Sequence, residues 1–207
     1  MNFQSLHYQF IPAENPVESP TMLLLHGTGG DETDFLRLGI FAGANLLGVR
    51  GNVLEDGTTT RFFRRTAEGV FDEADLQFRT HELAHFLNNV AAQEGFDLAN
   101  LFAMGYSNGA NMAGALLLLY PSLLKGAALW RPMLPFHTEQ IAPSAGGKVL
   151  MISGQQDFYY RPDSMHHYEQ LLSRNGFEVE SHVLPTGHNL VRQDLALTEA
   201  WWQKVKG

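Results

Sequence analysis

The 207-residue sequence contains no cysteine, which excludes a disulfide framework, a thiolate nucleophile and a cysteine-based zinc site. Basic residues are also few. The sequence has 14 Lys and Arg against 22 Asp and Glu, which gives a formal net charge of −8. Because nucleic acids and anionic membranes attract clustered Lys and Arg, we expect neither as a partner.

Long apolar runs and targeting patterns are missing as well. No apolar run approaches the roughly 20 residues that a membrane-spanning helix needs, so stable membrane insertion is not predicted. The first ten residues, MNFQSLHYQF, lack the charged segment followed by an apolar segment that is typical of a signal peptide. We therefore expect a cytoplasmic protein.

The apolar content, 44% of all residues, is enough to fill one sizeable hydrophobic core. No internal repeat, low-complexity tract or long linker divides the chain. Residues 1–207 are therefore predicted to form a single domain.

Short apolar runs alternate with helix-like stretches along the whole chain. The run TMLLLHG (21–27) is apolar on both faces, as is typical of a strand inside a parallel sheet. The same reasoning predicts central strands at 44–51, 100–106, 124–130 and 148–154, and edge strands at 2–11 and 177–184. Helices are predicted at about 75–94, 108–120, 164–175 and 190–205. This alternation predicts an α/β fold with a mostly parallel sheet of about seven strands and helices on both faces.

One turn in this pattern carries a candidate nucleophile. Gly105-Tyr106-Ser107-Asn108-Gly109 is a G-x-S-x-G pentapeptide that directly follows a predicted strand and opens a predicted helix. Such a turn strains the serine backbone, raises the hydroxyl above the sheet and needs glycine where a Cβ would clash with neighbouring backbone. The alternative is a tight strand-to-helix turn with an incidental serine.

A serine hydroxyl is a weak nucleophile unless a base removes its proton, so a histidine and a carboxylate are needed. Asp157 and His188 each lie just past a predicted strand, where ligands bind on parallel sheets, and they follow in the chain order Ser, Asp, His. Ser107, Asp157 and His188 are therefore the predicted catalytic residues. Asp163 is the rival carboxylate, although it lies near a helix start, where Asp commonly acts as a cap.

Acyl transfer also requires donors for a developing oxyanion. The segment HGTGGDETDF (26–35) follows the first central strand, and its glycines free backbone N–H groups to point toward a ligand. The predicted oxyanion hole consists of the backbone amides of Thr28 and Asn108. His26 belongs to the same turn and is predicted to be structural, through hydrogen bonds to the loop.

A competing motif lies at 81–85, where HELAH matches the H-E-x-x-H signature of zinc peptidases. At about 100° per residue, His81 and His85 fall opposite an apolar face that includes Leu83 and Phe86. A zinc peptidase needs both histidines turned into a cleft together with a third ligand. We therefore predict neither a metal nor another cofactor.

The segments HGTGG, GYSNG, GQQD and TGH together resemble the α/β-hydrolase fold. Nearly the whole chain resembles the small phospholipase/carboxylesterase family, which includes acyl-protein thioesterases and bacterial carboxylesterases. Residues 49–76 look closest to the active-site loop of bacterial members described as carboxylesterases or as hydrolases linked to hydroquinone stress. The resemblance implies Ser107 as nucleophile, His188 as base and Asp157 as the acid that orients it. The related dienelactone hydrolases use a cysteine, and this chain has none.

The length leaves no insertion large enough for a helical cap domain, so we expect a shallow site rimmed by loops. The expected rim is the 50–75 loop together with WRPMLPF (130–136). The side chains predicted to contact the substrate are Phe62, Phe63, Trp130 and Met133. The alternative for each is that it covers the edge of the core. Three nearby arginines either meet an anionic substrate group or form a solvated charge run: Arg61, Arg64 and Arg65.

The sequence thus predicts a carboxylesterase that hydrolyses a small-molecule ester with a short- to medium-chain acyl or aryl group. The alternatives are an acyl-protein thioesterase or lysophospholipase and a catalytically silent binding protein with the same fold. Homodimer formation is left open.

Overall fold

The computed structural model describes residues 3–137 and 142–207, and its centre is a seven-stranded sheet. The strands of the described residues are β1 (His7–Ile11), β2 (Thr21–Leu25), β3 (Asn45–Arg50), β4 (Val53–Glu55), β5 (Thr59–Arg61), β6 (Arg65–Ala67), β7 (Val70–Phe71), β8 (Leu101–Tyr106), β9 (Gly126–Trp130), β10 (Lys148–Gly154) and β11 (Glu178–Leu184). The α-helices are α1 (Glu73–Glu94), α2 (Asn108–Leu119), α3 (Pro162–Arg174) and α4 (Arg192–Val205). A short 3₁₀ helix precedes β8 at Leu98–Asn100.

The central sheet has the strand order β1-β3-β2-β8-β9-β10-β11. β1 pairs antiparallel with β3, and every other pairing in this sheet is parallel. The predicted fold class is confirmed, and the two edge strands come from the segments predicted for them. The bounds of the four helices lie within two residues of the predicted ones. No helix in the described ranges is long and apolar enough to cross a bilayer.

Two apolar clusters cover the two faces of the sheet. Because side chains alternate along a strand, Leu23 and Leu25 of β2 enter one cluster, while Met22 and Leu24 enter the other. Helices α1, α2 and α3 pack on the first face. Helix α4 packs on the second face, beside buried side chains from residues 36–44. All five residues of β2 are buried, which explains its continuous apolar pattern.

Residues 51–72 form two small hairpins, whereas the sequence predicted a loop. β4 pairs with β5 and β6 pairs with β7, both antiparallel. These strands have two or three residues each and are mostly half-exposed, so they carry no periodic apolar signal. Glu55 of β4 binds Arg65 of β6, with 2.7 Å between Oε1 and Nε, which joins the two hairpins beside the carboxyl end of the sheet.

Candidate active site

The three predicted catalytic side chains meet at the carboxyl end of the central sheet. Ser107 follows β8, Asp157 follows β10 and His188 follows β11. His188 Nε2 lies 2.9 Å from Ser107 Oγ, and His188 Nδ1 lies 2.7 Å from Asp157 Oδ2. Residues that are 31 and 81 positions from His188 along the chain are thereby brought into one hydrogen-bonded line.

The backbone at Ser107 is strained, with φ 53° and ψ −113°. Ser107 is the N-cap of α2, yet its side chain makes no capping hydrogen bond, so the hydroxyl is free to meet His188. Gly105 and Gly109 must be glycine, because neighbouring backbone atoms leave no space for a Cβ at either position. A Cβ on Gly105 would overlap the carbonyl of Gly109, and a Cβ on Gly109 would overlap the carbonyl of Leu25. The turn therefore has no room for side chains at positions 105 and 109, two residues to either side of the serine.

The environment of His188 sets its tautomer and its orientation. Asp157 is buried, and its other oxygen, Oδ1, accepts a hydrogen bond from the Tyr159 amide at 2.9 Å. A carboxylate only accepts, so His188 Nδ1 carries the proton and Nε2 is left to accept from the Ser107 hydroxyl. The His188 ring packs against the rings of Tyr106 and Tyr159, with centroids 5.4 and 5.3 Å away.

The rival carboxylate, Asp163, does not reach this line of hydrogen bonds. It is exposed in the first turn of α3, whose N-cap is Arg161. Its negative charge there complements the positive end of the helix dipole. The position that contacts the His188 imidazole is held by Asp157.

The predicted oxyanion donors lie at the same cavity. Thr28 and Asn108 both line it together with Ser107. Among the described residues, no backbone carbonyl accepts a hydrogen bond from either amide. Asn108 is also the first residue of α2, where N–H groups and the helix dipole favour negative charge.

Two buried asparagines of α2 hold the loops around the cavity, and the sequence reasoning missed this role. Asn108 Oδ1 accepts from the Phe62 amide, and Asn111 Oδ1 accepts from the Met133 amide, both at 2.7 Å. For Asn111 the signal was present in the sequence, because ANMAGALLLL (110–119) places one amide side chain within an otherwise apolar helix. A buried polar side chain needs a partner, and here the partner is loop backbone.

A cavity of about 300 Å³ opens above Ser107. Besides Ser107, His188, Thr28 and Asn108, its lining includes Arg61, Arg65, Glu68, Phe71, Arg131, Met133 and Tyr159. A second cavity of about 310 Å³ lies beside it and shares Gly69, Phe71, Met133 and Tyr159 with the first. Met133 therefore lies where the sequence predicted a substrate contact.

The other three predicted contacts, Phe62, Phe63 and Trp130, are wrong, since none of these side chains lines the cavity. Phe62 is 3% exposed and packs on His26, with ring centroids 4.7 Å apart. Phe63 is fully buried in the core. The Trp130 side chain lies in the cluster on the α4 face of the sheet, where its Nε1 donates to Thr198 Oγ1 at 2.8 Å. These rings pack in the core rather than line the cavity, because full burial of an aromatic ring removes a large apolar area from water.

The three arginines of this region have three different environments. Arg61 is 5% exposed and donates to Thr28 Oγ1 at 2.9 Å, and burial lowers the pKa of its guanidinium. Arg65 is half-buried and pairs with Glu55 and Glu68. Arg64 is exposed. The prediction of a solvated charged side chain therefore holds for Arg64 alone. Glu55 and Glu68 balance the positive charges of Arg61 and Arg65.

The HELAH histidines do not face a cleft together. His81 Nδ1 lies 2.7 Å from the Tyr120 hydroxyl, and His85 is exposed beside Asn89. Glu82 is buried between them and accepts hydrogen bonds from other side chains and backbone. Within residues 3–137 and 142–207, no group of three His, Asp or Glu side chains is arranged to hold a metal ion.

His26 is structural, as predicted. Its Nδ1 donates to the carbonyl of Gly27 at 2.6 Å, and its Nε2 accepts from the amide of Gly51 at 3.0 Å. The buried ring therefore joins the turn that contains Thr28 to the first of the two hairpins. Burial lowers the pKa of His26, because the charged form loses its hydration.

A parallel sheet with helices on both faces, and with serine, aspartate and histidine meeting at its carboxyl end, defines an α/β hydrolase. Comparison with known proteins agrees. The model of the dienelactone hydrolase family matches residues 59–200, more than half of the chain. The chain therefore belongs to the dienelactone hydrolase family and is a hydrolase, with serine at the position after β8 where a nucleophile is expected.

Several individual proteins are similar over nearly the full length. MhqD of Bacillus subtilis (strain 168) is 39% identical over 194 residues, which cover 93% of this chain and 96% of that protein. The crystal structure of the Bacillus cereus carboxylesterase has a TM-score of 0.92 and 42% identity, covering 97% of this chain and 94% of that chain. A carboxylesterase structure from Mesorhizobium loti has a TM-score of 0.84 and 33% identity, covering 96% of this chain and 94% of that chain. The resemblance inferred from the sequence is confirmed.

The lowered pKa of His26 predicts a pH-dependent stability. His26 stays neutral to a lower pH in the folded protein than in the unfolded chain, where it is protonated as the pH falls below the ordinary histidine pKa of 6.5. The unfolded state then binds more protons, so the free energy of unfolding should decrease from pH 7 to pH 5. His26→Gln should reduce this decrease, since an amide does not titrate but its oxygen can still accept from the Gly51 amide.

Urea unfolding at pH 5, 6, 7 and 8 measures this effect. The matched control is His85→Gln, because His85 is exposed on α1. Identical pH dependence in the wild type and His26→Gln would show that His26 does not contribute.

Proposed function

We propose that this hydrolase is a serine carboxylesterase that acts on short- to medium-chain acyl or aryl esters. The observation that carries the proposal is the hydrogen-bonded line from Ser107 Oγ through His188 to Asp157, at 2.9 and 2.7 Å, beside a cavity. The carboxylesterase names of two structural relatives, at 42% and 33% identity, support it.

The first half of the reaction forms an acyl-enzyme. His188 Nε2 takes the proton of Ser107 as Oγ attacks the ester carbonyl carbon. The negative charge that develops on the carbonyl oxygen is stabilised by the amides of Thr28 and Asn108, and losing one such donor costs on the order of 10²- to 10³-fold in rate. When the carbon–oxygen bond to the alcohol breaks, His188 gives its proton to the departing alcohol.

The second half regenerates the enzyme. Water enters the place of the alcohol and loses a proton to His188 as its oxygen attacks the acyl carbon. The bond to Ser107 Oγ breaks, the proton returns to the serine and the carboxylic acid leaves. In both halves Asp157 holds the imidazole in the required tautomer and stabilises the imidazolium that forms.

Ser107→Ala tests the nucleophile directly. The variant should lose turnover of p-nitrophenyl acetate and butyrate, because no other group in the line can form the acyl-enzyme. Its melting temperature should stay close to that of the wild type, because the hydroxyl makes no capping bond. Labelling by an organophosphonate should occur in the wild type and be lost in the variant.

Retained turnover in Ser107→Ala would refute the assignment of the nucleophile. A wild type that neither turns over esters nor reacts with the phosphonate would instead favour a silent hydrolase fold.

The assignment of the carboxylate is tested with matched amide substitutions. Asp157→Asn should lower kcat by roughly 10⁴-fold, because an amide at this position favours the wrong imidazole tautomer. Asp163→Asn is the control, with the same chemical change in the first turn of α3, and should change kcat little. Steady-state kinetics on p-nitrophenyl butyrate compares the two. A larger loss in Asp163→Asn would overturn the choice.

The size of the cavity predicts the acyl-chain preference. Each CH₂ that becomes buried contributes about 0.8 kcal/mol, so kcat/KM should rise a few-fold per carbon only until the cavity of about 300 Å³ is filled. Further methylenes stay in water and add nothing. We expect kcat/KM across p-nitrophenyl esters from C2 to C16 to rise and then level off at short or medium chain length.

Phe71→Ala and Met133→Ala should flatten this profile, because both side chains line the cavity. Phe158→Ala is the control, since Phe158 is 70% exposed and does not line it. A steady rise in kcat/KM up to C16 would contradict the shallow site.

A further inference from the structure

Arg131 and Asp194 form a fully buried ion pair directly behind the active site. Arg131 follows β9 and Asp194 lies in the first turn of α4. The distances are 2.7 Å from Nη1 to Oδ1 and 3.0 Å from Nη2 to Oδ2, and both side chains have no exposed surface. Removing two charges from water costs about as much as their attraction returns, so net stability does not account for such a pair.

Arg131 also donates to the loop that carries His188, while its Nη1 makes a further hydrogen bond to the Ile152 carbonyl of β10 at 3.3 Å. Nε donates to the carbonyl of Gly187 and Nη2 to the carbonyl of Asn189, both at 3.1 Å. The carbonyl between them, that of His188 itself, accepts from the Tyr106 hydroxyl, also at 3.1 Å. Burial raises the pKa of Tyr106, which keeps this phenol protonated as a donor. Three consecutive carbonyls, centred on His188, are thus held by side chains.

The backbone at Arg131 is arranged for this contact. In a regular strand, consecutive side chains point to opposite faces of the sheet, so Arg131 would point away from Trp130. Instead Arg131 has φ 56°, in the left-handed region. Both side chains then contact α4, Trp130 through Thr198 and Arg131 through Asp194. A strained non-glycine residue persists where its surroundings require it, often at a functional site.

Asp194 connects the pair to the far end of the same loop. Its Oδ2 also accepts from the Val191 amide at 2.7 Å, which caps the start of α4. The loop between Leu184 and Arg192 is therefore held at 187 and 189 by Arg131 and at 191 by Asp194. The carboxylate both neutralises the guanidinium and fixes its position.

We propose that Arg131 is a positioning residue that holds His188 in line with Ser107 and Asp157, and that Asp194 orients Arg131 for this task. The inference rests on the proposed function, because it assigns His188 the role of base. Arg131 acts on the backbone on either side of the imidazole. Although Arg131 borders the cavity, its side chain has no exposed surface there. A shift of about 1 Å in a reacting group costs on the order of 10²-fold in rate.

Arg131→Met is the first test. It keeps an unbranched side chain but removes every donor to the Gly187 and Asn189 carbonyls. We expect kcat on p-nitrophenyl butyrate to fall on the order of 10²-fold, as expected for a displaced base. KM should change little, because the Arg131 side chain has no exposed surface to offer a substrate. Hydrogen–deuterium exchange of the 185–191 loop should become faster.

Two further variants separate positioning from stability. Arg131→Met combined with Asp194→Asn removes both charges, while the amide oxygen can still accept from the Val191 amide. The melting temperature should recover relative to Arg131→Met alone, since no unpaired buried carboxylate remains, but kcat should stay low. Trp130→Phe is the matched control, because it loses the buried bond to Thr198 one residue away. It should lower the melting temperature and leave kcat unchanged.

The proposal is overturned if Arg131→Met keeps the kcat of the wild type, or if kcat recovers with stability in the double variant. It is also overturned if Trp130→Phe loses kcat in proportion to its melting temperature. Failure of the proposed function looks different, since the wild type itself would then lack ester turnover and phosphonate labelling. In that case unchanged exchange of the 185–191 loop in Arg131→Met would refute the positioning role on its own.

Discussion

The arrangement of this site depends on one steric constraint, the absence of space for a side chain at Gly105 and Gly109 in the turn between β8 and α2. The carbonyls of Leu25 and Gly109 occupy the positions where Cβ atoms of Gly109 and Gly105 would lie. Because the helix starts so close to the neighbouring strand, Ser107 is held at φ 53° with its hydroxyl above the sheet. That position puts Oγ within reach of a histidine from β11 and puts the first amide of α2 at the cavity.

Around this rigid turn, the site is built from loops that buried polar side chains hold in place. Asn108 and Asn111 accept from the amides of two different loops, and Arg131 donates to the loop of His188. On the other side, Arg61 holds the Thr28 hydroxyl. Loops lack the regular hydrogen bonds of helices and strands, so their conformation depends on such contacts. The sheet directs each loop toward the site, and these buried side chains then fix the position of the loop.

The sequence predicted the fold more accurately than the lining of the cavity above Ser107. The elements from β8 to α4 were found within two residues of their bounds, because their apolar periods are long and separated by turn signals. The side chains of Phe62 and Trp130 were misplaced, because residue type and position in the chain do not indicate which face a side chain takes. The burial of Arg61 was missed for the same reason. A cluster of arginines in a sequence usually indicates a solvent-exposed surface, and the sequence does not show that Arg61 contacts Thr28.

The sequence by itself determined the alternation of strands and helices, the glycine-flanked serine and the chain order of the serine, aspartate and histidine. Each of these is local, set by residue spacing and by the rule that parallel strands present their carboxyl ends at one edge. Only the tertiary structure decided which side chains line the cavity and which hold its loops. The contact between Arg131 and Asp194 spans 63 residues and depends on one positive φ angle, which reverses the side-chain direction expected from strand alternation.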